Sequence, residues 1–179
     1  LAHPEFLYLI QRLPEKGEND SVRISDRELA RRLAAFLWSS IPDAQLQQKA
    51  EEGNLKQPHI LEAEVKRMLK DVRSNRFVRH FVEQWLDLDG LQSVSHITDQ
   101  HLLRAMQEEP VAFFHEVLRN NSSIFDFIHS GYALVNERLA SHYKIRGVRG
   151  SHFQKVSIEP QLNRGRLLTG SAVLAMNSD

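Results

Sequence analysis

Between Asp71 and Gly90 the chain reads DVRSNRFVRHFVEQWLDLDG, and this stretch constrains the fold more than any other. Phe77, Val78, Phe81, Val82, Trp85 and Leu86 form doublets four residues apart, which is one broad apolar stripe on a helix. The opposite face carries Arg76, Arg79, His80, Glu83, Gln84 and Asp87. A helix with six large apolar side chains on one face has to be covered by several others, so the stripe predicts a central helix ended by Gly90. Trp85 falls on that stripe and Trp38 on another; core packing is the expectation for both.

The flanking segments follow the same periodicity, punctuated by caps and breakers. Ser25-Asp-Arg-Glu28 has the form of a reciprocal capping box. It opens a helix with Leu29, Leu33, Phe36 and Leu37 on one face, halted at Ile41-Pro42. Asp43 can cap a short helix that ends at Gly53, and Leu61, Val65, Met68 and Leu69 repeat at helical spacing after Pro58. Thr98 or Asp99 can cap a long stretch reaching Asn120, with Pro110 inside it. Proline lacks the amide donor and clashes with the preceding turn, so a kink or two separate helices is expected there. Ile124, Phe125, Phe127 and Ile128 suggest a short buried helix or turn closed at Gly131, and Asn136 can cap NERLASHY. Polar and apolar residues alternate from Gln154 to Ile158, the pattern of a short strand, and Arg164 to Met176 reads as a final helix or an unanchored tail. The fold class is therefore all-α: an irregular bundle of seven or eight helices with a minor β or loop element near the C-terminus.

Composition removes several chemistries. Lysine plus arginine number 23 and aspartate plus glutamate 23, so no overall charge draws the chain to nucleic acid or a membrane surface. There is no cysteine, which excludes disulfides, thiolate ligands, cysteine nucleophiles and covalent haem attachment within this sequence. No apolar run is long enough to span a membrane. Nine histidines invite a metal site, but neither His-Glu-x-x-His nor Glu-x-x-His occurs. The nearest set, Glu108, Glu109, His115 and Glu116, reads as an acidic face beside a partly buried histidine. Gly170-Ser171-Ala172 lacks the second glycine and preceding strand of a nucleophile elbow, which leaves a small-residue packing contact. The glycines fit no phosphate-binding pattern. No catalytic, cofactor-binding or metal-ligating residue is assigned.

One charge asymmetry stands out. Arg138, Lys144, Arg146, Arg149, Lys155, Arg164 and Arg166 lie in a stretch holding a single acid, Glu159. They form a candidate face for an anion or a partner. Aromatic residues are not interleaved with them as single-strand binders require, so acids of a neighbouring domain are the expected complement and nucleic acid is not.

Four stretches carry a resemblance: Leu29-Ala-Arg-Arg-Leu33 with Phe36-Leu-Trp-Ser-Ser40 and Pro42-Asp43; Phe77 to Leu88 with Gln84-Trp85-Leu86; Asn136-Glu-Arg-Leu-Ala140 with His142-Tyr143; and Arg164-Gly-Arg-Leu-Leu-Thr169. Together they resemble planctomycete multidomain proteins that join a cytochrome-c-like haem domain to modules of unknown function. The module here is similar to the domain of unknown function 1592 type, running into the start of the 1588 type. The resemblance implies residues 1–24 as an N-terminal arm or the end of a preceding module. Residues 25–146 are then the helical module, and 147–179 the truncated start of a cytochrome-associated one. It also implies a piece of a longer extracytoplasmic or periplasmic protein, haem c elsewhere in that protein and none in this segment, and neighbouring domains of the same chain as partners. Two functions remain open on this reading. One is a non-catalytic interaction or scaffold module. The other is part of a haem-dependent redox enzyme, acting on substrates such as polysaccharide derivatives, to which His80, His129 or His142 could lend a distal ligand. Polyanion binding through the basic stretch is a third.

Overall fold

A computed structural model describes residues 24–93, 97–158 and 170–176. Residues 1–23, with the expected N-terminal arm, lie outside the described residues. Among the described residues, eight α-helices and one two-stranded sheet are present, so the protein is mostly helical with a minor strand element. The chain divides into two compact units at Arg67–Met68.

The first unit holds α1 (Asp26–Trp38), α2 (Ala44–Glu51) and most of α3 (Pro58–Lys70). Its caps follow from local chemistry. The Ser25 hydroxyl accepts from the Glu28 amide at 3.2 Å, and an Asp43 carboxylate oxygen accepts from the Leu46 amide at 3.0 Å. The expected box is only half made, because the Glu28 carboxylate accepts from Arg32 at 2.6 Å instead of turning back. The buried stripe of α1 is Ala30, Ala34, Leu37 and Trp38, one residue on from the expected one, and Phe36 is exposed. Enclosing the large indole of Trp38 sets that phase. The Arg67 guanidinium lies over the Trp38 ring, 5.4 Å from its centre, and donates to Asp43 at 2.8 and 3.1 Å. Buried Glu64 accepts from Gln45 at 2.6 Å and from Arg67 at 2.7 Å. Its charge is thus paired and hydrogen-bonded, as a buried carboxylate requires.

In the second unit, α4 (Ser74–Trp85) is shorter than the stripe predicted. Gly90 is not its stop. Leu86 caps the helix, Asp87 takes a left-handed conformation with φ 51°, and a 3₁₀ turn runs from Leu88 to Ser93 through Gly90. Aspartate tolerates that region better than most residues. The stripe is also not buried as a whole. Val78 and Val82 are enclosed, Phe77 and Leu86 are half-buried, but Phe81 is 39% and Trp85 47% exposed. The branched side chains of each doublet, with Leu88 and Leu91, fill the core, while the rings lie along its edge.

Helix α5 (Gln100–Arg119) starts at an Asp99 cap and runs unbroken through Pro110, so the expected division into two helices does not occur. Leu103, Met106, Val111 and Phe113 around the proline are buried, and that packing holds the helical path despite one missing amide donor. The short α6 (Asp126–His129) buries none of its residues, contrary to expectation, and the neighbouring Ile124 and Phe125 are exposed. Strand β1 (Tyr132–Val135) then pairs antiparallel with β2 (Gln154–Ser157), Tyr132 opposite Ser157 and Val135 opposite Gln154. Between them lies α7 (Glu137–Tyr143), capped by Asn136 as its sequence suggests. Helix α8 (Ser171–Met176) packs on α5 and the 3₁₀ turn, so the last stretch of the chain contributes both a strand and a helix to this unit.

Candidate functional site

The second unit carries a buried polar node, a groove and an aromatic face. At the node, Glu109 is only 3% exposed. It falls in the apolar phase of α5, four residues from Ala105 and from Phe113. The Tyr143 hydroxyl, from α7, lies 2.7 and 2.9 Å from its two carboxyl oxygens, and the Ser171 hydroxyl donates to one of them at 3.1 Å. The Ser171 amide donates to the Tyr143 oxygen at 2.7 Å. Three helices thus meet on one carboxyl group. No cation contacts it among the described residues. Burial therefore pushes the Glu109 carboxyl up to about 7, against the pull of the Tyr143 and Ser171 hydrogen bonds. Burial, and then the neighbouring Glu109 charge, raises the Tyr143 phenol as well, so it stays neutral. Ser171 is therefore more than the packing contact its sequence suggested: it anchors the start of α8.

The groove runs along the adjacent face of α5 and has a volume of about 510 Å³. Val78, Val111, Leu134 and Phe153 supply its apolar lining. Its polar rim is largely paired. The Arg79 guanidinium forks onto Glu108, with both bonds at 2.8 Å, and Lys155 donates to Glu116 at 2.9 Å. His115 Nε2 lies 2.7 Å from Asn75 Oδ1, and burial followed by the Arg119 charge lowers its basicity. The four residues read together as an acidic face therefore separate: Glu108, His115 and Glu116 each have their own partner, and Glu109 turns inward. Among the described residues no group of three histidines or carboxylates is placed to hold a metal ion.

The third feature is a connected set of rings. Phe81 lies 5.7 Å from Trp85 and 5.2 Å from Phe114, ring centre to ring centre. Phe114 stacks on Phe127 at 5.4 Å with an interplanar angle of 11°. Exposed Ile124, Phe125 and Ile128 flank Phe127 in sequence. Deeper in, Tyr132 stacks on Phe113 at 5.2 Å, and the Lys155 ammonium lies 3.9 Å from the centre of the Tyr132 ring. The Tyr132 hydroxyl is buried without a hydrogen-bond partner among the described residues. Tyr132→Phe should therefore leave stability unchanged or raise it by up to about 1 kcal/mol, because it removes a desolvated hydroxyl and keeps both ring contacts. Chemical denaturation of the two proteins checks this.

The described residues of the basic stretch differ in their pairing. Arg138 pairs with Asp99 at 3.4 Å and Lys155 with Glu116, while Lys144, Arg146 and Arg149 are exposed with no ion pair among the described residues. Arg164 and Arg166 lie outside the described residues. Of the histidines considered as haem ligands, His80, His129 and His142 are all exposed.

The second unit is thus a small helical domain with a carboxyl group at its centre and aromatic side chains on its surface. Residues 24–145 match the PSD4 family, described as Protein of unknown function (DUF1592), and the chain belongs to that family. No curated protein and no solved structure matches it. Among the described residues no helix is long and apolar enough to cross a membrane.

Proposed function

We propose that this chain is a non-catalytic interaction module of a larger, extracytoplasmic, cytochrome-c-associated protein, and that it docks an adjoining module of the same polypeptide through the aromatic face of its second unit. The observation that carries this reading is the exposure of Phe81 and Trp85 within a ring cluster that is already packed. Rings held by their neighbours lose little freedom on binding, and large aromatic side chains dominate the energetics of protein interfaces. The multi-module resemblance supports a neighbouring domain as occupant. The haem-enzyme alternative asks for histidines gathered beside a pocket. Only His115 lines the groove, and the other described histidines are exposed.

The test uses Trp85 as reporter in a Trp38→Phe background, comparing this chain with a longer polypeptide that contains the adjoining module. Docking blue-shifts the Trp85 emission and shields it from acrylamide. Adding the adjoining module as a separate chain should give saturable binding that Trp85→Ala weakens roughly 30-fold or more, as for an interface anchor. Equal quenching in both polypeptides would overturn the proposal. So would a dimer of this chain that buries Trp85 by itself.

A further inference from the structure

The groove beside α5 is separate from the aromatic face proposed for docking, and its charges are not balanced. Glu108 is neutralised by the Arg79 fork and Glu116 by Lys155. Neither acid is then left to attract a cation. Arg119, which also lines the groove, has no ion-pair partner among the described residues. It lies one helical turn from His115, close enough for its charge to act on that ring. The volume of about 510 Å³ is in the usual range for small-molecule sites, roughly 300–1,000 Å³, and the open groove has a mixed lining in which Val78, Val111, Ala112, Leu134 and Phe153 form the apolar part.

We infer that the groove binds a small organic anion, with its carboxylate on Arg119 beside His115 and its carbon body against Val111, Leu134 and Phe153. The guanidinium is a planar fork that matches a carboxylate, and Arg119 is an exposed residue among those that line the groove. The apolar part of the lining offers contact to a carbon skeleton, which an inorganic anion lacks. Phe153 and the imidazole of His115 favour a flat, unsaturated body.

Benzoate, benzyl alcohol, benzylamine and inorganic phosphate separate the contributions of head and body. Each is titrated into isotope-labelled protein while the His115 ring and Arg119 side-chain resonances are followed. Benzoate should bind saturably and move both sets of signals. Benzyl alcohol and phosphate should each bind at least roughly tenfold more weakly, having lost the charge or the body, and benzylamine should not bind. Arg119→Gln should weaken benzoate at least roughly tenfold with an unchanged melt, the loss expected for a charged hydrogen bond, while Arg119→Lys, which keeps the charge and loses the fork, should fall between Arg119→Gln and the native protein. Benzylamine binding as well as benzoate would overturn the inference. Benzoate affinity unchanged in Arg119→Gln would do the same, as would an absence of response at His115 and Arg119 to every probe.

Discussion

Raising the pH from about 4.5 to above 7 should cost the second unit roughly 3 kcal/mol of stability through Glu109, and Glu109→Gln should remove that loss. The native carboxyl holds its proton up to about 7, whereas in the unfolded chain it ionises near its ordinary value of 4.5. Between those two values the folded state binds more protons than the unfolded one, so stability falls as the pH rises and levels off above the folded value. His115 acts in the opposite sense. Its basicity is lowered in the fold, so it favours the folded state increasingly as the pH rises towards the ordinary histidine value of 6.5. It is only half-buried and contributes less. The difference between native protein and Glu109→Gln cancels it. Glutamine keeps an oxygen for the Tyr143 and Ser171 hydroxyls and an amide in place of the acid proton, so the variant imitates the protonated node. Urea unfolding at pH 5, 6, 7 and 8, read through Trp85 with Trp38 replaced by phenylalanine, gives both curves. The variant should match the native protein at pH 5 and exceed it at pH 8. Parallel curves for the two proteins would refute the assignment of a buried, uncompensated carboxyl.

Local signals in the sequence translated directly into structure. Ser25, Asp43, Asp99 and Asn136 each cap the helix that follows, because a cap depends only on a side-chain oxygen and amides two or three residues away. Strand β2 was legible from its alternation, but its partner Tyr132–Val135 was not, since four residues between a glycine and a cap show no period. At Pro110, where a kink or two helices was expected, the division into two does not occur, for the opposite reason. Its local preference is clear, and the packing of the residues around it overrides that preference. The buried node had one available signal. In the run Glu108-Glu109-Pro110, the second acid falls in register with Ala105, Met106 and Phe113, and an acid in an apolar phase marks either a buried carboxyl or an interrupted stripe. Nothing in the sequence joined it to Tyr143 and Ser171, which lie 34 and 62 residues away. The groove was equally hidden, because its lining comes from α4, α5, β1 and the segment before β2.

The two tryptophans show most directly where periodicity stops. Each lies on an apolar helical face, and the sequence treats them alike. In the structure Trp38 is fully enclosed at 0% exposure, while Trp85 is 47% exposed. Trp38→Ala should therefore destabilise the first unit by about 3–5 kcal/mol, the usual loss for a large ring removed from a packed interior. The substitution also takes away the surface on which the Arg67 guanidinium lies, leaving that cation to Asp43 and Glu64 alone. Trp85→Ala should cost this chain only about 1 kcal/mol, the order of an edge contact between aromatic rings, since Phe81, Phe114 and Phe127 still pack on one another. Denaturation followed by circular dichroism ranks the two variants. A Trp85→Ala loss as large as that of Trp38→Ala would mean the ring is a core element and would remove the basis for a docking face. A small loss in this chain, joined to a large one in the binding of an adjoining module, is the pattern an interface anchor produces. The side chain then contributes little to the domain that carries it and much to the contact it makes.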